Sequence, residues 1–161
     1  NGHIDIALRA AGIFDKVIVG VYDMPKKKLL FDVEERLSLV RQAFSQYENI
    51  EVAKFSGITV DYARERGVKV LVRGLRVFSD FELEFRMGLA NKRLAPEIET
   101  VSIMSDIQHI SISSSTVREI AELGGDVSSM VPPFVADALA KRFAELKANH
   151  SSPGYTYSIR D

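Results

Sequence analysis

The sequence predicts an α/β fold with a Rossmann-like, doubly wound parallel sheet. Short apolar, β-branched runs alternate with longer segments of helical periodicity, and this alternation is typical of a parallel sheet with helices on both faces. The length of 161 residues suits one domain with one core. We expect that domain to span 1–147, followed by a polar, turn-rich tail over 148–161.

The predicted strands are 17–21, 50–53, 68–72 and 100–104, because each is a short apolar run followed by turn-prone or polar residues. The predicted helices cover about 4–14, 32–47, 59–66, 80–94, 113–122 and 132–147. Asp32 and Glu35 have the spacing of a capping box, and Gly67 stands where a helix commonly ends in a left-handed residue. Ligands of such sheets bind beyond the carboxyl ends of the strands.

Composition excludes several function classes. The chain has no cysteine, so neither a disulfide framework nor thiol chemistry is available. Its formal net charge is −1, which does not favour nucleic acid or an anionic membrane as a partner. No apolar run approaches the ~18 residues of a membrane span. A cytoplasmic location is therefore permitted, and phosphate binding would require local positive charge.

Asn1-Gly2-His3 opens the first predicted helix. Free backbone N–H groups at a helix start attract phosphate, and His3 could donate a hydrogen bond to a phosphoryl oxygen. The alternative is an ordinary surface histidine. A second candidate is the triplet Lys26-Lys27-Lys28 beyond the first strand, where a lysine could reach a phosphate or simply belong to a solvated loop.

Arg73-Gly74-Leu75-Arg76 directly follows the strand predicted over 68–72. Two arginines at the end of a buried strand fit a phosphate clamp, since the guanidinium fork matches phosphate oxygens. A salt-bridged structural loop is the alternative. Further along the chain, Ser113 is a predicted helix cap, and the hydroxyl residues that follow it favour an anion site over capping alone.

The helix predicted over 80–94 begins with acidic residues. Asp80 and Glu82 are explained by the helix dipole alone. Glu84 instead has the position to face a cleft, and Asn91 lies two turns further along the same face. The segment from Asp106 to Ile112 is predicted to be an irregular loop that could cover a nucleotide.

Together these segments resemble the bacterial phosphopantetheine adenylyltransferases, a family of the nucleotidyltransferase superfamily. The likeness covers about 1–147, and the order and spacing of several motifs make it specific. The matching motifs are Asn-Gly-His-Ile-Asp at 1–5, Pro-Lys-Lys-Lys at 25–28, Phe-Asp-Val-Glu-Glu-Arg at 31–36, Phe-Ser-Gly at 55–57, Val-Arg-Gly-Leu-Arg at 72–76, Asp-Phe-Glu at 80–82, Asn-Lys-Arg-Leu at 91–94, Ile-Ser-Ser-Ser at 112–115 and Gly-Asp-Val at 125–127.

The resemblance implies a reaction and its partners. ATP and 4′-phosphopantetheine would give dephospho-coenzyme A and pyrophosphate, with Mg²⁺ accompanying ATP and no metal held by the protein itself. Coenzyme A or dephospho-coenzyme A would be a product or feedback ligand. The resemblance also implies a cytoplasmic homohexamer. Catalysis would consist of positioning and charge stabilisation, without a covalent intermediate.

The resemblance also implies roles for individual residues. The expected catalytic residues are His3, Lys27 and Arg76, and the residues expected to bind phosphopantetheine are Lys27, Thr59, Arg73 and Asn91. The residues expected to bind ATP are His3, Gly74, Leu75, Arg76, Glu84, His109, Ile110, Ser111, Ile112, Ser113, Ser114 and Ser115. His109 departs from the family pattern, because relatives often carry an aromatic residue there.

The largest departure lies at the beginning of the sequence. The family pattern starts with a strand and a Gly-Thr-Phe-Asp-Pro-x-Thr run before the Gly-His pair, and this sequence contains neither. We therefore expect a further segment to precede Asn1 in the native chain. The alternatives are another adenylyl- or cytidylyltransferase of the superfamily, acting on nicotinamide mononucleotide or glycerol phosphate, and a non-catalytic nucleotide-binding module.

Overall fold

The computed structural model describes residues 1–24 and 29–150, with only the backbone described at 149 and 150. Helices and parallel strands alternate as the sequence predicts, which confirms the Rossmann-like α/β class. The elements are α1 (Gly2–Ala11), β1 (Val17–Tyr22), α2 (Val33–Phe44), β2 (Ile50–Phe55), α3 (Thr59–Glu65), β3 (Val70–Leu75), α4 (Phe78–Leu94), β4 (Glu99–Met104), a 3-10 turn (Ile107–His109), α5 (Ser114–Glu122) and α6 (Pro133–His150).

The strands form two parallel pairs. β1 pairs with β2 from Val17 opposite Ile50, and β3 pairs with β4 from Val70 opposite Glu99. Among the described residues, no strand joins β1 to β3, so the pairs are not continuous with each other. Helix α1 packs against both β1 and β3 and so links the two pairs.

Several local signals are confirmed. The Asp32 side chain accepts a hydrogen bond from the Glu35 backbone, and the Glu35 side chain accepts one from the Asp32 backbone, which completes the capping box of α2. Gly67 has φ +65° after α3, as expected for a left-handed residue at a helix end. Ser113 caps α5 by accepting from the Thr116 backbone N–H.

Some boundaries were predicted wrongly. β3 begins at Val70 and continues through Leu75, so Arg73 and Gly74 lie within the strand and not in a loop after it. The reason is the ladder with β4, which runs to Leu75 opposite Met104. Helix α2 ends at Phe44, three residues before its predicted end, and α6 continues to His150, three residues beyond its predicted end.

The chain divides into two compact units, residues 1–112 and a second unit that begins at Ser113. A buried cluster in the first unit consists of Val60, Ala63, Ala95 and Ile98. In the second unit, α5 packs on α6. Within the described residues, none of the helices combines the length and the apolar character needed to cross a bilayer.

Candidate functional site

Helix α1 brings His3 to the carboxyl ends of β3 and β4. Gly74 in β3 leaves room for Ile6 of α1, since a Cβ on Gly74 would stand 3.1 Å from Ile6 Cγ1. Arg9 donates to the carbonyl oxygen of Met104 over 2.6 Å, which ties the same helix to the end of β4. Helix α1 is therefore held at two points, and these tertiary contacts determine where its N-terminal turn lies.

The N-terminal turn of α1 meets the loop that carries His109. A Cβ on Gly2 would stand 3.5 Å from the Cβ of His109. Asn1 occupies the N-cap position but makes no capping hydrogen bond with its side chain. The N–H groups of the first turn have no carbonyl partner within the helix, so they remain suited to an anion.

His3 lies in the electrostatic field of both arginines. Its side chain is exposed, yet the surrounding protein still displaces some water, and this desolvation is the largest cause of its lowered pKa. The positive charges of Arg76 and Arg73 lower the pKa further. The imidazole is accordingly neutral near pH 7 in the absence of a ligand, and one ring nitrogen then carries a proton to donate.

Arg73 forms a two-bonded pair with Glu84. Arg73 Nε and Nη2 donate to the two carboxylate oxygens of Glu84, each over 2.7 Å. The Glu84 side chain is only 14% exposed, whereas that of Arg73 is 53% exposed. The hydrogen bonds that Arg73 donates to Glu84 raise the pKa of the Arg73 guanidinium. Arg73 still presents N–H groups to solvent on its unpaired side.

Arg76 forms a second pair, with Asp80. Arg76 Nε and Nη2 donate to Asp80 over 3.0 and 3.2 Å, and the Arg76 backbone N–H donates to the same carboxylate over 3.1 Å. Arg76 Nη1 donates to the carbonyl oxygen of Ile112 over 2.8 Å. Sequence reasoning assigned Asp80 only to the helix dipole and missed this contact, although the four-residue spacing from Arg76 was a usable signal.

The two ion pairs match the alternative of a salt-bridged segment. They do not exclude phosphate binding, because each guanidinium has five N–H groups and the carboxylate occupies only two side-chain donors. Arg73 and Arg76 thus have a fixed orientation, and each retains N–H donors that its carboxylate partner does not bind. The two guanidinium groups are held in place, positively charged and partly exposed. Such groups bind phosphate well.

The loop before α5 contains both half-buried and exposed residues. His109 is half-buried, and its Nδ1 atom is buried without a hydrogen-bond partner among the described residues. Ile110 and Ser111 are exposed, and the carbonyl oxygen of Ile112 is held by Arg76. The predicted irregular loop therefore contains one 3-10 turn and is anchored at its end.

The remaining predicted site residues have separate positions. Leu75 ends β3, Thr59 is exposed at the start of α3, and Asn91 is half-buried near the end of α4. The described hydrogen bonds of Arg73 and Arg76 include neither Thr59 nor Asn91. Lys27 lies outside the described residues.

The serine-rich start of α5 belongs to the second unit. Ser113 Oγ is 2.9 Å from Ser115 Oγ and 2.8 Å from Thr116 Oγ1, so three hydroxyls form one hydrogen-bonded group at the helix start. Ser114 and Ser115 are exposed. The cap is neutral, unlike the acidic cap of α2, and it leaves the helix dipole available to an anion.

Comparisons with known proteins identify a matching family model and several relatives. Residues 1–120 match a family model described as cytidylyltransferase-like. Three proteins named phosphopantetheine adenylyltransferase are similar to this chain. The protein from Alkaliphilus metalliredigens is 50% identical over 142 residues, 88% of this chain and 90% of that protein. The protein from Heliobacterium modesticaldum is 48% identical over 90% of this chain and 86% of its own length, and the Roseiflexus sp. protein 49% over 89% of each.

Proposed function

The chain belongs to the phosphopantetheine adenylyltransferase family of cytidylyltransferase-like proteins, and on that premise we propose that it transfers the adenylyl group of ATP to 4′-phosphopantetheine. The products are dephospho-coenzyme A and pyrophosphate. The observation that carries this proposal is about 50% identity to enzymes of that one name over about 90% of the chain. The cluster of His3, Arg73 and Arg76 at one strand edge supports it.

The reaction is a direct displacement at phosphorus. An oxygen of the pantetheine phosphate attacks the α-phosphorus of ATP, and the bond from that phosphorus to the pyrophosphate oxygen breaks. Negative charge spreads over the non-bridging oxygens, so fixed positive charge and hydrogen-bond donors lower the barrier. In this proposal neutral His3 donates a hydrogen bond to the α-phosphate, and Arg76 contacts the triphosphate.

Arg73 holds the acceptor phosphate in this proposal. Its pairing with Glu84 supports the role because the guanidinium is oriented before the substrate arrives, which lowers the entropy lost on binding. Glu84 can keep this pair and still accept a hydrogen bond from ATP, since each carboxylate oxygen has a second lone pair. The two expected roles are therefore compatible.

Several further assignments rest on the resemblance alone. Lys27, Thr59 and Asn91 are proposed contacts of phosphopantetheine. The loop and helix start from His109 to Ser115, together with Gly74 and Leu75, are proposed contacts of ATP. Coenzyme A and dephospho-coenzyme A are proposed to compete for the acceptor site, because both contain the pantetheine arm.

Magnesium enters this proposal as part of the ATP substrate. The described residues contain no group of three or more His, Asp or Glu side chains that could hold a metal ion. The two carboxylates nearest the arginines, Asp80 and Glu84, are each occupied by a guanidinium. Mg²⁺ often takes most of its ligands from phosphates and water, which supports a metal that arrives with the nucleotide.

Association of copies and a cytoplasmic location complete the proposal. Helix α4 contains no buried residue, and large apolar side chains are exposed along it, including Phe78, Phe81 and Phe85. An exposed apolar surface of this kind supports self-association, and the proposed state is a homohexamer. Sedimentation equilibrium of the purified protein gives the number of copies. The proposed location is the cytoplasm, where ATP is supplied to such an enzyme.

Pyrophosphate release tests the function. The purified chain is incubated with MgATP and phosphopantetheine, and dephospho-coenzyme A is identified by its mass. Parallel reactions contain nicotinamide mononucleotide with ATP, or glycerol phosphate with CTP. We expect release only with phosphopantetheine. Release with another acceptor would favour a different transferase of the superfamily, and ATP binding without any release would favour a non-catalytic module.

A further inference from the structure

Asp80 holds Arg76 by both its main chain and its side chain. The carboxylate accepts from Arg76 Nε and Nη2 over 3.0 and 3.2 Å, and from the Arg76 backbone N–H over 3.1 Å. One carboxylate therefore fixes the path of the chain as it leaves β3 and also the plane of the guanidinium. A helix-dipole role alone would require neither contact.

Asp80 does not serve as the cap of α4. The N-cap residue is Val77, whose side chain makes no capping hydrogen bond. The Asp80 side chain, only 22% exposed, instead points back to Arg76, two residues before the first residue of the helix. The side-chain hydrogen bond from Arg76 is the largest cause of the lowered pKa of Asp80, and the backbone N–H of Val77 contributes less.

The donors of Arg76 can be counted. Of its five side-chain N–H groups, two bind Asp80 and one on Nη1 binds the carbonyl oxygen of Ile112. One N–H remains on each terminal nitrogen, with no partner among the described residues. N–H groups on the two terminal nitrogens are donors with which a guanidinium binds phosphate oxygens.

We propose that Asp80 is a positioning residue for adenylyl transfer, which fixes Arg76 so that its two remaining N–H groups face the triphosphate of ATP. Asp80 itself does not contact substrate. The inference rests on the proposed function, since it assumes that ATP is the ligand of Arg76. It adds a residue and a mode of action to that site. A flexible arginine would lose more side-chain freedom on binding the same phosphate.

Glu84 provides an internal comparison. It lies four residues after Asp80 on the same helix and holds Arg73 by two hydrogen bonds of 2.7 Å. Arg73 is expected to bind the acceptor phosphate, so the two carboxylates of α4 orient the arginines of the two substrates separately. Loss of Asp80 should therefore affect ATP and leave phosphopantetheine nearly unaffected.

The test measures steady-state kinetics and calorimetric ATP binding for Asp80→Asn in the full chain. Asparagine preserves the shape but removes the charge and one acceptor. We expect kcat/KM for ATP and the affinity for ATP to fall about tenfold or more, as for loss of a charged hydrogen bond. The KM for phosphopantetheine should stay within about twofold. Asp80→Glu, which retains the charge, should recover part of the loss.

The matched control is Glu82→Gln. Glu82 is an exposed carboxylate of the same helix, and it pairs with Arg86 over 2.6 Å at the same four-residue spacing. Its removal should change neither KM nor ATP affinity by more than about twofold. Thermal unfolding of every variant shows whether a loss of activity reflects loss of fold. Should Asp80→Asn fail to fold, Asp80→Ser, which also removes the charge, supplies the same comparison.

A double-mutant cycle decides whether Asp80 acts through Arg76. In an Arg76→Ala background, Asp80→Asn should cause no further loss of ATP affinity. An equal loss in both backgrounds would overturn the proposal, as would wild-type ATP affinity in Asp80→Asn. If the wild-type chain binds ATP without releasing pyrophosphate, the proposed reaction fails but the binding cycle still judges Asp80. A wild-type chain that binds no ATP would overturn both.

Discussion

The strands β1 and β3 each contain a glycine near the carboxyl end, and the two glycines accommodate different neighbours. A Cβ on Gly20 would stand 2.9 Å from Phe55 Cε1, within the pair formed by β1 and β2. A Cβ on Gly74 would stand 3.1 Å from Ile6 Cγ1, at the contact between β3 and α1. Gly20 therefore allows close packing within one strand pair, whereas Gly74 allows the helix that carries His3 to pack against β3.

The two strand pairs also differ in the side chains at their carboxyl ends. At the carboxyl ends of β1 and β2, the ring of Phe55 contacts two tyrosines, with centroids 5.3 Å from Tyr22 and 5.0 Å from Tyr62. At the carboxyl end of β3, Arg73 and Arg76 are paired with carboxylates, and both lower the pKa of His3. Aromatic contacts of this kind chiefly stabilise a fold, whereas oriented cations chiefly bind anions. Substitutions at the two ends should therefore have different consequences.

The largest effect is expected for His3→Ala. Turnover should fall by a factor on the order of 10² to 10³, because the removed donor acts on the charge that develops in the transition state. The dissociation constant of ATP should change by no more than about threefold. Stopped-flow pyrophosphate detection gives kcat and calorimetry gives the affinity. Unchanged turnover would remove His3 from the mechanism.

Arg73→Ala should have the next largest effect. The KM for phosphopantetheine should rise about 10- to 50-fold, with a smaller change for ATP, because a charge-assisted phosphate contact is lost. Arg73→Ala/Glu84→Gln separates this loss from the effect of an unpaired carboxylate. The matched control is Arg64→Ala, which removes an arginine paired with Glu97 away from the site. A larger effect on ATP than on the acceptor would mean that the two phosphate sites are exchanged.

Gly20→Ala and Gly74→Ala test the comparison of the two strands directly. Each added methyl group meets an occupied position, so each variant should lose about 1–3 kcal/mol of unfolding free energy. Only Gly74→Ala should also lower kcat of the folded protein, because it displaces the helix that carries His3. Chemical denaturation and kinetics on the same samples measure both quantities. Equal kcat values in the two variants would contradict the proposed difference between the roles of Gly20 and Gly74.

The smallest signal is proton uptake when ATP binds. The pKa of His3 is lowered in the free chain, and the negative triphosphate should raise it, so protons are taken up between the two pKa values. Calorimetry in two buffers with different ionisation enthalpies should detect uptake of less than about one proton per ATP. His3→Gln should abolish the signal at the same pH. Proton release would indicate a different titrating group.

Local structure was predicted more successfully than contacts between distant segments. The capping box of Asp32 and Glu35 and the left-handed Gly67 were identified because their signals span only a few neighbouring residues. The end of β3 was misplaced because it depends on the partner strand β4. Gly74, an expected ATP contact, also leaves room for Ile6 of α1, and this packing contact was not predicted from the sequence.

The sequence by itself determined the order of helices and strands, the caps, and the residue types that converge on phosphate chemistry. These follow from hydrophobic periodicity and from turn preferences, which act over a few residues. Only the tertiary structure decided that Arg73 pairs with Glu84 and Arg76 with Asp80, and that both arginines lower the pKa of His3. Such contacts depend on the packing of whole elements, because hydrogen bonds and ion pairs form only at distances that strand register and helix placement establish.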